Sequence, residues 1–520
     1  MAPRVDRALW DRLFARTADS GWPLQARVRE MVMAAISEGW LLTEPPLPST
    51  RELAEQLGIA RNTVLLAYQQ LVDDGVLESR ERSGYFVRDS HPVRRPPQRS
   101  APSPLTNEPA WENRLAIRPS RQRNITKPQD WLSYSYPFVY GQLDPSLFPT
   151  NDWRDCVRQA LSVLEIRGWA SDLIDGDDPE LVEQIRTRLL PRRGIWATTD
   201  EIMVTLGAQQ ALYLLAELLV APDMVVGIED PGYPDMRNIL ALRRAQVRPL
   251  AIDEAGIVPD AIPADCRAVF VTPDRQCPTG ASLPLERRRR LVELAETRDF
   301  LIFEDDYGSN FATTEGALPS LKSLDRSGRV LYVGSLSKTL APGLRFGYIA
   351  AAPGIIREAR ALRRLMMRHA PANNQRALAL FLALGHFDRL LRRITATFAE
   401  RMEVLHEALA RHLPEFTHDH GITGSSLWLG GPEGLDGQAL ARHARDAGIL
   451  IESGDVFFMS AVPPQQNIRL GIAAIATERI EPGIGALAQV ARRLALRPPG
   501  ETTGVRRPST AAPSPRLVPG

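Results

Sequence analysis

The sequence predicts an α/β protein in two parts, a small helical domain with a two-stranded ribbon ahead of a much larger domain built on a parallel sheet. Three observations predict it. A length of 520 residues exceeds what one ordinary core accommodates, so two or more domains are expected. Over roughly the first ninety residues, three stretches with apolar residues at helical spacing precede two short runs joined by a tight turn. Beyond Pro137, short β-branched runs alternate with helical segments, the pattern of a largely parallel sheet covered by helices.

Composition narrows the class. Hydrophobic residues make up 44% of the chain and the formal charge is +1, so a globular protein is expected and any basic surface must be local. Cys156, Cys266 and Cys277 are odd in number, widely spaced and without a CxxC pair, which argues against a disulfide framework and against a zinc site. Residues 1–21 alternate charge with Leu9, Trp10, Leu13 and Phe14, a short amphipathic helix and not a signal peptide. No apolar stretch approaches ~20 residues, so no transmembrane helix, no membrane partner and a cytoplasmic location are expected. Residues 90–130 are rich in Pro, Arg, Ser and Gln and read as a linker; residues 498–520 have the same character and read as a disordered tail. Two folded domains are left, residues 22–89 and residues 131–497.

In the first, Leu24, Val28, Met31 and Ala35 share one helical face and Gly39 ends that helix. Ser49 or Thr50 can cap a second helix carrying Leu53, Ala54 and Leu57. Gly58-Ile59-Ala60 turns the chain into a third helix opening at Arg61-Asn62-Thr63, with Val64, Tyr68, Leu71 and Val72 inward. Asp74-Gly75 leads to Val76–Arg80, and Arg82-Ser83-Gly84 turns back into Tyr85-Phe86-Val87. Three helices and a ribbon make a winged helix-turn-helix. In that geometry the first turn of the third helix enters the major groove of double-stranded DNA, with Arg61, Asn62 and Thr63 at base edges or phosphates. Arg51 would hold the backbone and Arg82, at the wing tip, the minor groove. The segment resembles the GntR-type winged helix, which implies operator contacts at these same five positions.

In the large domain the expected strands are Ile202–Thr205, Val225–Ile228, Ala268–Thr272, Phe300–Glu304, Val330–Val333 and Phe346–Ala350. Ligands of such sheets gather at the carboxyl ends of strands. There the sequence places Gly207-Ala208-Gln209 at a helix start suited to a phosphate, then Tyr233, Cys277, and Asp305 with Tyr307 in an acidic loop. Gly334-Ser335-Leu336-Ser337-Lys338 follows the next strand, and Arg345 stands seven residues on. Lys338 is one of only three lysines, with Lys127 and Lys322, in a chain rich in arginine. Arginine substitutes for lysine as a surface charge, but not as an amine that must lose its proton and form a Schiff base.

Taken singly, these residues also fit an ordinary helix start, a core aromatic and a solvated loop. In this order they resemble the fold-type I pyridoxal-phosphate enzymes of the aspartate aminotransferase class. The resemblance implies pyridoxal 5′-phosphate held at its phosphate by Gly207, Ala208, Gln209, Ser335, Ser337 and Arg345, with Lys338 forming the internal aldimine. Asp305 would keep the pyridine nitrogen protonated, Tyr307 would hydrogen-bond the ring hydroxyl, Tyr233 would stack on the ring, and Arg469 would clamp a carboxylate. A GntR-type winged helix joined to this fold is the plan of the MocR/GabR subfamily of bacterial regulators. That implies a homodimeric transcriptional regulator in which an amino compound displaces Lys338 and forms an external aldimine. The rival is an active aminotransferase with a DNA-binding appendage. Two departures stand out. Cys277 occupies a position where aminotransferases have Asn. Asp235 stands where the member of the family that senses γ-aminobutyrate has Arg, and would favour a cationic or neutral distal group on the effector, unless it pairs with Arg237.

Overall fold

The computed structural model describes residues 7–41, 43–81, 83–88, 111–308, 318–419 and 424–495. Arg82, most of the expected linker and the 498–520 tail therefore lie outside the described residues. The chain divides into two compact units, Met1–Leu115 and Ala116–Gly520.

The first unit contains α1 (Arg7–Ala15), α2 (Leu24–Ser37), α3 (Thr50–Leu57), α4 (Arg61–Asp73) and an antiparallel ribbon of β1 (Leu77–Arg80) and β2 (Gly84–Val87). Ser49 caps α3 in a capping box: its hydroxyl accepts from the Glu52 N–H at 3.2 Å, and the Glu52 carboxylate accepts from the Ser49 N–H at 2.9 Å. Gly58, at φ 64, closes α3 in the left-handed conformation that glycine adopts most readily. The core gathers Val28, Met31, Leu53, Val64, Tyr68, Leu71, Leu77 and Val87. Leu9, Trp10 and Leu13 of α1 join the same core. The sequence reading set residues 1–21 apart as a separate segment, but an amphipathic helix needs an apolar surface to cover, and α2 and α3 provide it.

The large unit carries an eight-stranded sheet. Its strands are β3 (Ile202–Thr205), β4 (Val225–Asp230), β5 (Gln246–Asp253), β6 (Gly256–Ile257), β7 (Ala268–Val271), β8 (Leu301–Asp306), β9 (Val330–Ser335) and β10 (Gly347–Ala350). Their order is β3-β10-β9-β8-β7-β4-β5-β6, with β9, β8, β7, β4 and β5 parallel. β10 runs antiparallel to both of its neighbours, pairing Ser335 with Gly347 and Gly347 with Thr205. Helices cover both faces. On one, α5 (Gly207–Leu219) and α6 (Pro234–Leu242) bury Leu212, Leu215, Met236 and Leu240 against Phe270, Phe303 and Val333; on the other, a helix over Leu285–Arg298 buries Leu291 and Ala295 against Val269 and Ile302. β5 went unpredicted because it lies towards the sheet edge and most of its residues are exposed or half-buried, so no apolar run marks it. A second, antiparallel sheet of β11 (Ser426–Gly430), β12 (Glu452–Ser453) and β13 (Asn467–Gly471), with β13 central, packs on helices over His386–His412 and Ile480–Ala495.

Among the described residues no helix is long and apolar enough to cross a membrane, and no group of three or more His, Cys, Asp or Glu is placed to hold a metal ion. All three cysteines are free and buried.

Candidate functional site

The first unit presents polar residues at the start of α4. Arg51, Arg61 and Asn62 are exposed and Thr63 is half-buried. Ala60 at the N-cap supplies no side-chain acceptor, and the Thr63 N–H turns back to the Ala60 carbonyl at 3.0 Å, so no side chain blocks the first turn from an anion such as a DNA phosphate. Arg61 Nε reaches Thr50 Oγ1 at a long 3.4 Å, a contact too weak to hold its guanidinium back. Arg80 on the ribbon is engaged by Glu44 and Glu78, both at 2.7 Å.

In the second unit the carboxyl ends of the parallel strands frame a cavity of about 420 Å³. Its wall includes Ala208 and Gln209 after β3, Tyr233 and Asp235 after β4, Cys277 after β7, Asp305 at the end of β8 with Tyr307 just past it, and Ser335 at the end of β9 with Ser337 and Lys338 just past it. Arg345 completes the wall; because β10 runs antiparallel, its start lies at the same edge as the other strands' ends. Residues from five loops thus meet because of the strand order, not because of their spacing in the chain.

Two glycines allow the backbone to approach closely here. A Cβ on Gly347 would come within 2.5 Å of the Gly207 carbonyl carbon and 2.8 Å of the Ala208 nitrogen. Gly207 takes φ 76 and stands against the Arg345 guanidinium, which a Cβ there would meet at 2.8 Å. Leu206 at the N-cap of α5 offers no side-chain acceptor, and Gln210 Oε1 takes only the Leu206 N–H at 2.8 Å, so the helix dipole, the following N–H groups and Arg345 bear on one spot. Ser335 and Ser337 are buried beside it, the Ser337 hydroxyl donating to Phe346 O at 3.2 Å.

Lys338 is half-buried in the cavity wall, and desolvation, reinforced by Lys127 and Arg469, pushes its amine down to about 7. Asp305 is the converse: burial and then Asp306 push its carboxyl up to about 7, and its Oδ1 has no hydrogen-bond partner among the described residues. Both aspartates are the last residues of β8, not part of the acidic loop the sequence reading placed after Glu304; Asp306 turns inward to Arg193 at 2.7 Å and Tyr332 at 2.5 Å. Burial also raises the Tyr307 hydroxyl well above its ordinary range and lifts the Cys277 thiol to about 12, so both are protonated at neutral pH. The residues suit pyridoxal 5′-phosphate: an anion cradle, an amine, an acid with an open lone pair, and a space lined by Tyr233 whose ring stacks on Phe270.

Asp235 does not pair with Arg237, whose two terminal nitrogens donate to the carbonyls of Phe458 and Val456 at 2.9 and 3.2 Å. It instead lies 3.0 Å from the Tyr233 hydroxyl, which is also 2.7 Å from Gln209 Oε1; one phenolic proton serves one acceptor at a time. Arg469 differs from the open carboxylate clamp expected. It is buried, with its guanidinium 4.2 Å from the centre of the Tyr140 ring and 4.6 Å from that of Phe457. Its Nε donates to Glu452 Oε2 at 2.7 Å, and Nη2 lies 2.5 Å from the same oxygen as an ion-pair contact, off the angle of a hydrogen bond.

Sequence reasoning missed Tyr140, Asn124, Lys127 and Glu452. Tyr140 lies beneath three cations, with Lys338 Nζ 4.4 Å and Lys127 Nζ 5.6 Å from its ring centre beside Arg469. Asn124 and Lys127 fall in the 90–130 stretch read as linker; residues 116–130 belong instead to the large unit. The scarcity of lysine was a signal that applied to Lys127 as much as to Lys338.

Known proteins resemble the chain at both ends. A family model described as "Aminotransferase class I and II" matches residues 148–487, and one described as "Bacterial regulatory proteins, gntR family" matches residues 24–87. The HTH-type transcriptional regulator TauR of Rhodobacter capsulatus is 42% identical over 472 residues, covering 90% of this chain and 96% of its own. The probable rhizopine catabolism regulatory protein MocR of Rhizobium meliloti is 32% identical over 475 residues, covering 90% and 94%. Among solved structures, an archaeal alanine:glyoxylate aminotransferase superposes with a TM-score of 0.65 at 26% identity, over 68% of this chain and 90% of its own.

Proposed function

Because this chain belongs to the family of GntR-type transcriptional regulators that carry an aminotransferase class I and II domain, we propose that it binds operator DNA in a way set by an amino compound captured at Lys338 through pyridoxal 5′-phosphate. The observation that carries the reading is the meeting, in one cavity, of a desolvated lysine, a buried carboxylate oxygen without a partner and an anion cradle at a helix start. When bound, the cofactor supplies an aldehyde that condenses with amines and a ring that withdraws electrons.

The chain's own residues do the rest. Ser335, Ser337, Arg345 and the N–H groups at Gly207, Ala208 and Gln209 bind the phosphate. Asp305 Oδ1, charged beside the cationic ring against the cost of burial, would accept a hydrogen bond from the ring N–H and so keep that nitrogen protonated. The protonated Tyr307 donates to the ring oxygen, and Tyr233 covers the ring face. Cys277 offers that oxygen only a weak S–H donor where an amide would bond it well, which favours binding over rapid turnover. Lys338 would supply the amine that holds the cofactor, Arg469 would take the effector's acid group in competition with Glu452, and Asp235 would face a cationic distal group. A homodimer would present two winged helices to two half-sites.

The test loads full-length protein with pyridoxal 5′-phosphate and titrates a panel of amines while following the cofactor's absorbance and the affinity for DNA selected by the protein. An amine that moves the band should also move DNA affinity, and Lys338→Ala should abolish both responses. An amine turned over with a 2-oxo acid, with DNA affinity unchanged, would make the chain an aminotransferase with a DNA-binding appendage.

A further inference from the structure

Lys127 is held in the site by contacts of its own. Its Nζ lies 3.5 Å from Glu452 Oε1 and donates to the Tyr140 carbonyl. Glu452 thereby bridges two cations, Arg469 through one oxygen and Lys127 through the other, and Oε1 has no hydrogen bond among the described residues. Lys338, its amine pushed down to about 7, is the third basic group. A methyl group on Gly141 would overlap Lys338 Nζ and sit 3.3 Å from Lys127 Nζ, so both amines crowd one glycine. Against the cost of burial, Arg469 and then Lys127 hold the Glu452 carboxyl below its usual range, while burial and then Arg469 push the Lys127 amine down. In the loaded protein, where Lys338 is engaged with the cofactor, the one carboxylate of Glu452 still faces two cations, the buried Arg469 and the half-buried Lys127, and that balance favours the arrival of one more negative charge.

Lys127 also has a particular place in the chain. The segment Gln122–Lys127 follows the boundary at Leu115, on the only covalent path from the winged helix into the large unit. It is anchored in part by α6, whose Asp235 also walls the cavity. Gln122 Nε2 donates to Asn238 O of α6 at 3.1 Å, Asn238 Nδ2 donates to Arg123 O at 3.0 Å, and Arg123 pairs with Asp455 at 3.1 Å. Asn124 lines the cavity itself.

We propose that Lys127 is an effector-binding residue: with Arg469 it forms a two-cation seat for the acid group of the amino effector, a seat in which Glu452 stands in until the effector arrives. Occupancy of the seat changes how the segment Gln122–Lys127 is held, and so bears directly on the connection to the DNA-binding unit. The proposal deepens the reading of Lys338 as the amine-capturing residue and rests on it. It adds that a ligand's acid group is sensed by the interdomain segment as well as by the large domain.

The experiment compares Lys127→Met, Lys127→Arg and wild type, each as full-length protein loaded with pyridoxal 5′-phosphate. The probes are L-alanine, β-alanine and γ-aminobutyrate as acid-bearing amines and ethylamine as an acid-free one, read by the shift of the cofactor band. Wild type is expected to bind at least one acid-bearing probe in preference to ethylamine. In Lys127→Met that preference should fall by about ten- to a hundredfold, the worth of a charge-assisted hydrogen bond in a buried site. Lys127→Arg should recover part of it, and the affinity for ethylamine, compared at the pH plateau of each protein because Lys127→Met alone shifts the Lys338 midpoint upward, should differ far less among the three than that preference does. With the acid-bearing probe saturating the band, Lys127→Met should also lose the change in DNA affinity that wild type gives. Undiminished preference in Lys127→Met, or no preference in wild type, overturns the proposal. Failure of wild type to take up the cofactor at Lys338 overturns the underlying reading instead, and borohydride reduction with peptide mapping separates the two.

Discussion

If burial sets the reactivity of Lys338, the pH at which the protein captures an aldehyde should report it. An ordinary lysine has a pKa of 10.5, and at pH 7 only about one amine in three thousand is neutral. At a value of about 7, roughly half of the Lys338 amines are neutral at pH 7, about a tenth at pH 6 and about nine-tenths at pH 8. The sign follows from the lowered value: protonation below 7 removes the nucleophile, and the gain on raising pH saturates about a unit above 7. Cofactor-free protein mixed with pyridoxal 5′-phosphate, trapped with borohydride at a series of pH values and mapped by peptide, should show one labelled lysine, Lys338, with uptake rising sigmoidally through neutrality. Lys127→Met removes the cation that most depresses that amine, so its midpoint should move upward, toward the ordinary value. Label on Lys127 or Lys322, or uptake still climbing steeply above pH 9, would refute the argument that desolvation at the end of β9 activates Lys338.

Other perturbations test the remaining parts. Arg61→Ala should cost about 1–3 kcal/mol of specific DNA binding and relax sequence preference, whereas Arg51→Ala should weaken binding evenly and flatten its salt dependence, both measurable by fluorescence anisotropy. Ser49→Ala removes the acceptor of the capping box and should lower the stability of the N-terminal unit by about 1 kcal/mol in chemical denaturation. Gly347→Ala drives a methyl into the backbone of Gly207 and Ala208, so it should lose about 1–3 kcal/mol of stability and weaken cofactor uptake, read by calorimetry and by the cofactor band. Asp235→Arg should reverse or relax a preference for diamino acids over γ-aminobutyrate; an unchanged preference would remove Asp235 from effector recognition.

Local chemistry made much of this protein legible from its sequence. Ser49 with Glu52, Gly58, and the apolar spacing of Val64, Tyr68 and Leu71 are interactions over three or four residues, and they suffice to mark the second and third helices of the winged helix. β3, β4, β7, β8, β9 and β10 announced themselves because each is a short apolar run buried on both faces; β5, largely unburied, has no such signature. Lys338 could be singled out because no other side chain replaces an amine that must deprotonate. What only the tertiary structure decided depends on which distant residues desolvate one another. The ring of Tyr140 beneath Lys338, Lys127 and Arg469, the capture of Arg469 by Glu452, and the freeing of Asp235 by the turn of Arg237 toward Phe458 and Val456 join positions far apart in the chain. Lys127 shows why: by composition its segment reads as a linker, and only the Glu452 carboxylate and the Tyr140 carbonyl, both brought up by the fold, give its amine a buried place to go.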